Sequence, residues 1–286
     1  MFGTGGMLLS GISQFEKEQF GISSNVGVTS NPGFMAHFQD SLELFYLKSG
    51  NYRVKVNGAS YELHGGDMAV ILPYQVHEYI NVDSTNKELV ILLNTNLMDD
   101  YRSRLENCGF KDPIIRKEQM PQQLVNLLFT FEKIGIKEDD EEELALLRKH
   151  LGNAVMWYIF KIIPLKKSGN GRLSVIQNFT KFLYNNYSNG DLKLEDIAKK
   201  LGYNCTYLSN AINIAFGMNF KSVLNTIRIR EAKKLVAHSD KTITEICHQC
   251  GFNSVRTFNR AFLNFEGMPP REYREAHNSV EANGNK

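Results

Sequence analysis

The side chains best suited to chemistry follow two glycines, Gly202 and Gly251, which lie 49 residues apart. The segment after each glycine is rich in Asn, Ser, Thr or Arg. In the major groove of DNA, Arg pairs with guanine and Asn pairs with adenine through two hydrogen bonds. These residue types indicate the reading of base edges in DNA.

Short amphipathic helices are predicted on both sides of each glycine. The buried stripes of the leading helices fall at Leu194, Ile197, Ala198 and Leu201 in one copy and at Ile243, Ile246 and Cys247 in the other. A helix, a glycine turn and a second helix form a helix-turn-helix, whose second helix reads the major groove while its back packs on the first. Two such motifs are expected at about residues 192–216 and 241–265, joined by one helix, where they could reach successive grooves.

Charge is divided unevenly along the 286 residues, although the formal net charge is only +2. Residues 1–171 carry 17 Lys and Arg against 21 Asp and Glu, whereas residues 172–277 carry 15 against 9. Such asymmetry suggests a polyanionic partner for the basic segment. The expected partner is double-stranded DNA.

The cysteines and the apolar runs indicate in which cellular compartment the protein is found. Cys247 and Cys250 have C-x-x-C spacing, but no second pair accompanies them, so small helix positions are favoured over a zinc or redox site. Few cysteines fit a reducing compartment. No apolar run approaches the roughly 18 residues of a membrane span. We therefore expect a cytoplasmic protein with no membrane partner.

The N-terminal part is expected to form an antiparallel barrel or sandwich. Between residues 41 and 94, short alternating segments are separated by Gly, Pro and Asn turns, among them Asn57-Gly58. From Pro121 onward the spacing of apolar residues becomes that of a helix, which predicts helices at 121–134 and 141–163. The predicted division is a domain over 1–165, a linker over 166–172, a helical domain over 173–277 and a disordered tail over 278–286.

The helical domain resembles the AraC/XylS family of transcription regulators. The matching positions are Gly217, Phe220, Ile227, Arg228, Ile229, Arg230, Ala232, Leu235, Ile243, Ile246, Gly251, Phe252, Phe258, Arg260, Phe262, Gly267, Met268, Pro270, Tyr273 and Arg274. The resemblance implies two helix-turn-helix subdomains in a regulator that is not an enzyme and is usually an activator that recruits RNA polymerase. Cys247 stands where the family usually has Ala, which exchanges one small residue for another.

The resemblance also implies which side chains meet DNA. The expected base contacts are Asn204, Thr206, Ser209 and Asn210 in the first copy and Val255, Arg256, Asn259 and Arg260 in the second. The expected phosphate contacts are Lys221, Arg228, Lys233 and Lys241. Arg256 is the preferred base reader, whereas Arg260 could instead contact phosphate or form an internal ion pair.

Residues 30–95 resemble the cupin-like sensing domain common in this family, through His37-x-Gln39-x-x-x-Glu43 and a later His77. Metal-binding cupins use two His, one Glu and a later His. Because Gln39 replaces the second His, a metal-free pocket without a cofactor is favoured over a three-ligand site. The expected effector is a small polar metabolite such as a sugar, and the expected effector-binding residues are His37, Glu43, Tyr46, Arg53, His77 and Tyr79.

The expected fold class is α+β and multidomain, with a cupin-like antiparallel β-barrel and dimerisation helices followed by an all-α double helix-turn-helix. Related regulators dimerise through helices placed like 121–134 and 141–163, so the resemblance implies a homodimer. The expected function is sequence-specific DNA binding controlled by a small-molecule effector. Two alternatives stay open, a ligand-independent regulator whose barrel only dimerises and a metal-dependent cupin enzyme fused to a DNA-binding domain.

Overall fold

The computed structural model describes residues 20–25, 34–81, 86–94, 101, 104–105, 108–134, 141–167 and 172–284. The chain divides into two compact units, one from Glu18 to Thr180 and one that includes Lys181–Lys286. The division therefore falls after the predicted linker, inside a helix. Among the described residues, no helix has the combination of length and apolar character needed to cross a membrane.

The first unit is built from antiparallel strands, as the sequence predicts. The described strands are β1 (Phe20–Asn25), β2 (Phe34–His37), β3 (Leu42–Ser49), β4 (Asn51–Val56), β5 (Ala59–His64), β6 (Met68–Ile71), β7 (His77–Asn81), β8 (Lys87–Leu93), β9 (Cys108–Phe110), β10 (Ile114–Ile115) and β11 (Leu165–Lys167). They form a five-stranded sheet in the order β1–β8–β3–β6–β10, a four-stranded sheet in the order β2–β7–β4–β5, and a β9–β11 pair.

Turn chemistry and side-chain alternation explain this arrangement. The predicted Asn57-Gly58 turn joins β4 to β5, and both residues have positive φ, as a two-residue hairpin of this kind requires. Along β4, Tyr52 and Val54 are buried whereas Arg53 is exposed, because successive side chains point to opposite faces of a sheet. Strand β3 is buried on both faces, so it lies at the centre of the unit.

Two helices follow the strands, within one residue of the predicted bounds. They are α1 (Gln122–Ile134) and α2 (Glu141–Ile162). Leu128 and Phe131 of α1 and Ile159 of α2 belong to the same apolar core as Leu42 and Leu44 of β3. The helices thus cover one face of the five-stranded sheet.

The helical region contains α3 (Arg172–Asn186), α4 (Leu194–Leu201), α5 (Cys205–Phe216), α6 (Phe220–His238), α7 (Ile243–Gln249), α8 (Val255–Glu266) and α9 (Pro270–Gly284). Helices α4 and α5 form one helix-turn-helix, and α7 and α8 form the other. Helix α6 joins them. Helix α9 continues to Gly284, through most of the segment that was predicted to be a disordered tail.

The second helices of the two motifs have the same kinds of cap at both ends. The side chain of Asn204 accepts a hydrogen bond from the backbone of Tyr207 at the start of α5, and Ser254 does the same for Thr257 at the start of α8. Helix α5 ends at Gly217 and α8 ends at Gly267, both in the left-handed conformation. Gly202 and Gly251, in the turns of the two motifs, have the same conformation. Helix α8 begins at Val255, directly after its cap residue Ser254.

Each motif is also held by one arginine that binds backbone carbonyls near the end of an earlier helix. Arg228 of α6 donates to the carbonyl oxygens of Tyr187 and Asn189, just after α3. Arg274 of α9 donates to those of Val236 and Lys241, at the end of α6 and just beyond it. The Val236 carbonyl is one of the last four of α6, which a helix end leaves without partners. The other three carbonyls lie in the loops that follow α3 and α6.

Candidate DNA-binding surface and effector cluster

The outward face of α8 is cationic and hydrogen-bonding. Arg256, Asn259 and Arg260 are exposed, while Phe258 and Phe262 anchor the opposite face in the core. Within the described part of the chain, neither Arg256 nor Arg260 has a hydrogen-bond or ion-pair partner. An arginine that is exposed and uncommitted is free to offer its fork of donors to a guanine or a phosphate. The internal ion pair considered for Arg260 is therefore not formed.

The outward face of α5 is neutral. Thr206 and Asn210 are exposed, Ser209 is half-buried, and Leu208 and Ile212 face the core. The oxygen of the Asn204 side chain caps the helix, so this residue has only its amide N–H groups left for DNA. The structure therefore leaves Thr206 and Asn210 as the main polar groups among those expected in this copy.

The sequence analysis missed three exposed residues on α5. Tyr207 and Asn213 lie beside Thr206 and Asn210, and Ile214 is 61% exposed, although it is apolar. Residues three, four and seven positions apart share a helix face. This spacing from Thr206 and Asn210 could have revealed them in the sequence.

Two of the four predicted phosphate contacts are buried, which corrects the sequence analysis. The ammonium of Lys233 lies 2.9 Å from a Glu266 carboxylate oxygen, with both side chains 7% exposed. Arg228 is committed to the carbonyls described above, and burial lowers its pKa. Lys221 and Lys241 are exposed. Helical periodicity alone did not distinguish the buried Lys233 and Arg228 from the exposed Lys221 and Lys241. A long charged side chain can lie on a buried face when it has a partner there.

A second polar cluster, the Glu43 cluster, lies in the strand unit. It consists of His37, Gln39, Glu43, His77 and Tyr79. The Glu43 Oε1 atom accepts from the Tyr79 hydroxyl at 2.7 Å, and Oε2 accepts from the Gln39 amide at 2.9 Å. The His77 Nε2 atom lies 3.3 Å from Glu43 Oε2, and the rings of His37 and His77 are 4.1 Å apart.

The electrostatics of this cluster favour an ionised carboxylate. Burial opposes the ionisation of Glu43, but the His77 and His37 rings and the hydrogen bond from Tyr79 lower its pKa to about 2. Burial and the neighbouring Glu43 carboxylate raise the pKa of Tyr79, which therefore keeps its proton as a donor. A buried carboxylate of this kind needs hydrogen bonds and positive charge around it.

Two of the predicted effector residues lie outside the Glu43 cluster. Tyr46 belongs to the core beneath α1 and α2 and contacts Phe129, because it is on the opposite face of β3 from Glu43. Arg53 points outward from β4 and pairs with Glu62 at the surface. Alternation along the strands, which the sequence shows, sets both positions: Tyr46 is three residues from Glu43, and Arg53 lies between Tyr52 and Val54. The other four predicted residues come together.

Two family models match the chain. The model described as an AraC-like ligand binding domain matches residues 29–148, and a helix-turn-helix domain model matches residues 197–276. The first range contains the Glu43 cluster and the second contains α5 and α8. Each model thus covers one of the two candidate sites.

Relatives in curated collections agree with this division. Uncharacterised HTH-type transcriptional regulators of Staphylococcus aureus are 37% identical over 84 residues, which is 29% of this chain. The match covers only 11% of the length of those relatives. The HTH-type transcriptional activator RhaS of Salmonella paratyphi B is 20% identical over 86% of this chain and 90% of its own.

Solved structures share the fold over most of the chain. The structure of a ToxT variant of Vibrio cholerae without ligand is 16% identical, with a TM-score of 0.57 over 90% of this chain and 97% of its own. A ToxT structure described as bound to an unsaturated fatty acid is 16% identical, with a TM-score of 0.54 over 89% and 94%. At this identity the similarity is one of fold, with both units in the same chain order.

Proposed function

The chain belongs to the AraC family of DNA-binding transcription regulators with an N-terminal ligand-binding domain, and we propose that it recognises a specific DNA site through α5 and α8. The observation that carries the proposal is the face of α8, where Arg256 and Arg260 are exposed and, among the described residues, have no hydrogen-bond or ion-pair partner. Helices in this position dock in the major groove with their first turns against base edges.

The two reading helices have different tasks in this proposal. Arg256 reads a guanine through two hydrogen bonds, and Asn259 and Arg260 contact a base or phosphate beside it. Thr206 and Asn210 on α5, with the neighbouring Tyr207, offer neutral and partly apolar groups. A neutral surface of this kind discriminates through thymine methyl contacts, bridging water and DNA shape.

Backbone contacts fix the register of the two helices. We assign them to Lys221 and Lys241, whose ammonium groups are exposed. Lys221 lies in the first turn of α6, and Lys241 lies just before α7. Phosphate contacts supply affinity for any sequence and make it depend on salt.

The strand unit binds a small molecule that changes DNA binding. The Glu43 cluster supports a polar effector, of which a sugar is one example, because it gathers imidazole, amide, carboxylate and phenol groups in the matched ligand-binding range. ToxT is described as bound to a fatty acid, so a carboxylate ligand is the competing class. Thermal unfolding with sugars and with fatty acids separates the classes, since a ligand of the folded state raises the melting temperature. A broad screen without a shift would favour a ligand-independent regulator.

A second copy of the chain pairs through α2. Leu146, Leu147 and Trp157 are three of the six large hydrophobic side chains exposed in the described residues. Helical spacing places Leu146 and Trp157, three turns apart, on the same face, and Leu147 lies beside that face. Exposed apolar patches mark interaction sites. A symmetric dimer would present four helix-turn-helix motifs to paired half-sites. Activation through RNA polymerase is part of the proposal, supported by the similarity to RhaS, an HTH-type transcriptional activator.

Selection of bound duplexes from a random DNA pool tests the function. The full chain should enrich one motif, and footprinting should place its two halves roughly 10 base pairs apart per chain, which is one turn of the duplex. A chain with Asn210→Ala and Arg256→Ala is the control and should enrich a motif without the base preferences that these two side chains read. Equal recovery of all sequences by the unmodified chain would refute specific recognition.

A further inference from the structure

The loop between α3 and α4, residues 187–191, is contacted by α6 and by the turn of the second motif. Arg228 of α6 donates to the Tyr187 and Asn189 carbonyls at 2.8 and 2.6 Å. Its guanidinium lies 5.6 Å from the centre of the Phe252 ring, and both side chains are buried. Because the loop leads directly into α4, these contacts tie the first motif to the second in addition to the covalent link through α6.

The turn of the second motif approaches the same loop through Gly251 and Asn253. A Cβ on Gly251 would lie 2.6 Å from the backbone oxygen of Tyr187. The amide nitrogen of Asn253 donates to the Gly190 carbonyl at 3.4 Å and to an Asp191 carboxylate oxygen at 3.3 Å. A Cβ on Gly190 would overlap the amide oxygen of Asn253, so the glycine makes room for this side chain.

The turns of the two motifs differ in length. Gly202 lies two positions before Asn204, the cap of α5, whereas Gly251 lies three positions before Ser254, the cap of α8. The longer second turn contains Asn253 directly before the cap. The turn that differs from its counterpart is therefore the one that reaches the 187–191 loop.

We propose that Asn253 is a positioning residue, which through Gly190 and Asp191 fixes the separation and angle of α5 and α8, so that the chain accepts one spacing between its two half-sites. The inference rests on the proposed recognition of DNA by both helices. A single connecting helix leaves the motifs free to turn about its ends, and a second point of contact removes that freedom. One extra base pair between the half-sites shifts the second by about 3.4 Å and rotates it by roughly 35° about the duplex.

Dissociation constants for duplexes of different spacing test the inference. The duplexes are the selected site, the same site with one base pair inserted or removed between its halves, and the half-site of α8 alone. For the unmodified chain a changed spacing should weaken binding on the order of 10²-fold, because two linked modules lose their joint affinity when they cannot bind together. Asn253→Ala should reduce this discrimination by about 2–10-fold, the net strength of one hydrogen bond, and leave binding to the single half-site unchanged.

Gly190→Ala disturbs the same contact from the opposite side. It should reduce the discrimination by a similar factor, but should have no further effect in a chain that already carries Asn253→Ala, because the overlapping atom is gone. Asn185→Ala is the matched control, since it removes an exposed Asn that bonds the Lys181 carbonyl within α3. Unchanged discrimination in Asn253→Ala and Gly190→Ala, or an equal loss of affinity for the single half-site, would overturn the inference.

A measurement without DNA distinguishes a failure of this inference from a failure of the proposed function. Spin labels at the exposed positions of Ile214 on α5 and Leu263 on α8 report the distance between the two helices by pulsed electron paramagnetic resonance. The half-buried Cys108 and Cys205 are first replaced by Ser. Asn253→Ala should broaden or shift the distance distribution. An identical distribution would overturn the inference, whether or not the chain selects a DNA site.

Discussion

At the scale of single residues, Arg256 carries the strongest claim to base recognition. Replacing it with Ala should remove the preference at one base pair of the selected site and cost about 1–3 kcal/mol of binding free energy. Arg256→Lys keeps the charge without the two-donor fork, so it should lose the preference but retain more affinity. Fluorescence anisotropy with single-base variants of the site measures both effects. An unchanged preference at every base pair would show that α8 is placed differently.

Lys233 is expected to stabilise the fold, whereas Lys241 is expected to contact DNA, so substitutions of the two should have different effects. Lys233→Ala leaves Glu266 buried and unpaired, so it should lower the free energy of unfolding by about 3–5 kcal/mol. Lys241→Ala, as the matched exposed control, should change stability by less than about 0.5 kcal/mol. It should instead reduce the salt dependence of DNA binding by about one unit. Urea unfolding measures the stability of the two variants, and salt titrations measure their DNA binding. An equal loss of stability in both variants would contradict a structural role for Lys233 alone.

The sequence was most informative about residues whose role depends on their own type. Arg256 and Arg260 were identified from the motif and are exposed, as a reading role requires. Tyr46 and Arg53 were misplaced, although alternation along a strand already puts Tyr46 opposite Glu43 and Arg53 opposite Tyr52 and Val54. The burial of Lys233 depends on Glu266, which lies 33 positions away. Such long-range partners are not visible in local spacing.

At the scale of elements, the two glycine turns predict different sensitivities. A Cβ on Gly251 would lie 2.6 Å from the backbone oxygen of Tyr187, whereas a Cβ on Gly202 meets no atom within 4 Å. Both residues have positive φ, so Gly202→Ala should cost about 1 kcal/mol from backbone strain alone. Gly251→Ala should cost clearly more, because backbone must move.

Urea unfolding of the two glycine variants compares the costs directly. The same substitution at the same kind of turn makes Gly202→Ala the control for Gly251→Ala. A larger loss of unfolding free energy in Gly202→Ala than in Gly251→Ala would contradict the close approach of Gly251 to the Tyr187 backbone. The comparison matters for function, because Gly251 immediately precedes the segment that positions α8.

Helices and turns were predictable because their signals are local. The bounds of α1 and α2, the turn at Asn57-Gly58 and the glycine at the end of α4 all follow from residues within a few positions. The distribution of strands over two sheets was not predictable, because it depends on pairings such as that of β3 with β8. The length of α9 was also missed, since residues 278–286 are mostly polar.

At the scale of the whole molecule, dimerisation through α2 is the main prediction. Leu146→Glu and Trp157→Glu place charges on the exposed apolar face and should convert a dimer to a monomer in sedimentation experiments. Gln123→Glu adds a charge at an exposed position of α1 and serves as the control. The loss of pairing should also weaken binding to a two-half-site duplex more than binding to one half-site. A dimer that persists in both variants would place the interface elsewhere.

Recognition of one particular DNA sequence separates a regulator from a protein that only binds phosphate. The most direct test is the ratio of dissociation constants for the selected duplex and for a scrambled duplex of equal length and composition, measured at one salt concentration near 0.15 M. Specific regulators bind their sites about 10³-fold or more tightly than other DNA, and we predict a ratio in that range. A ratio near one would contradict the account, because it would leave only the attraction of a basic surface for phosphate.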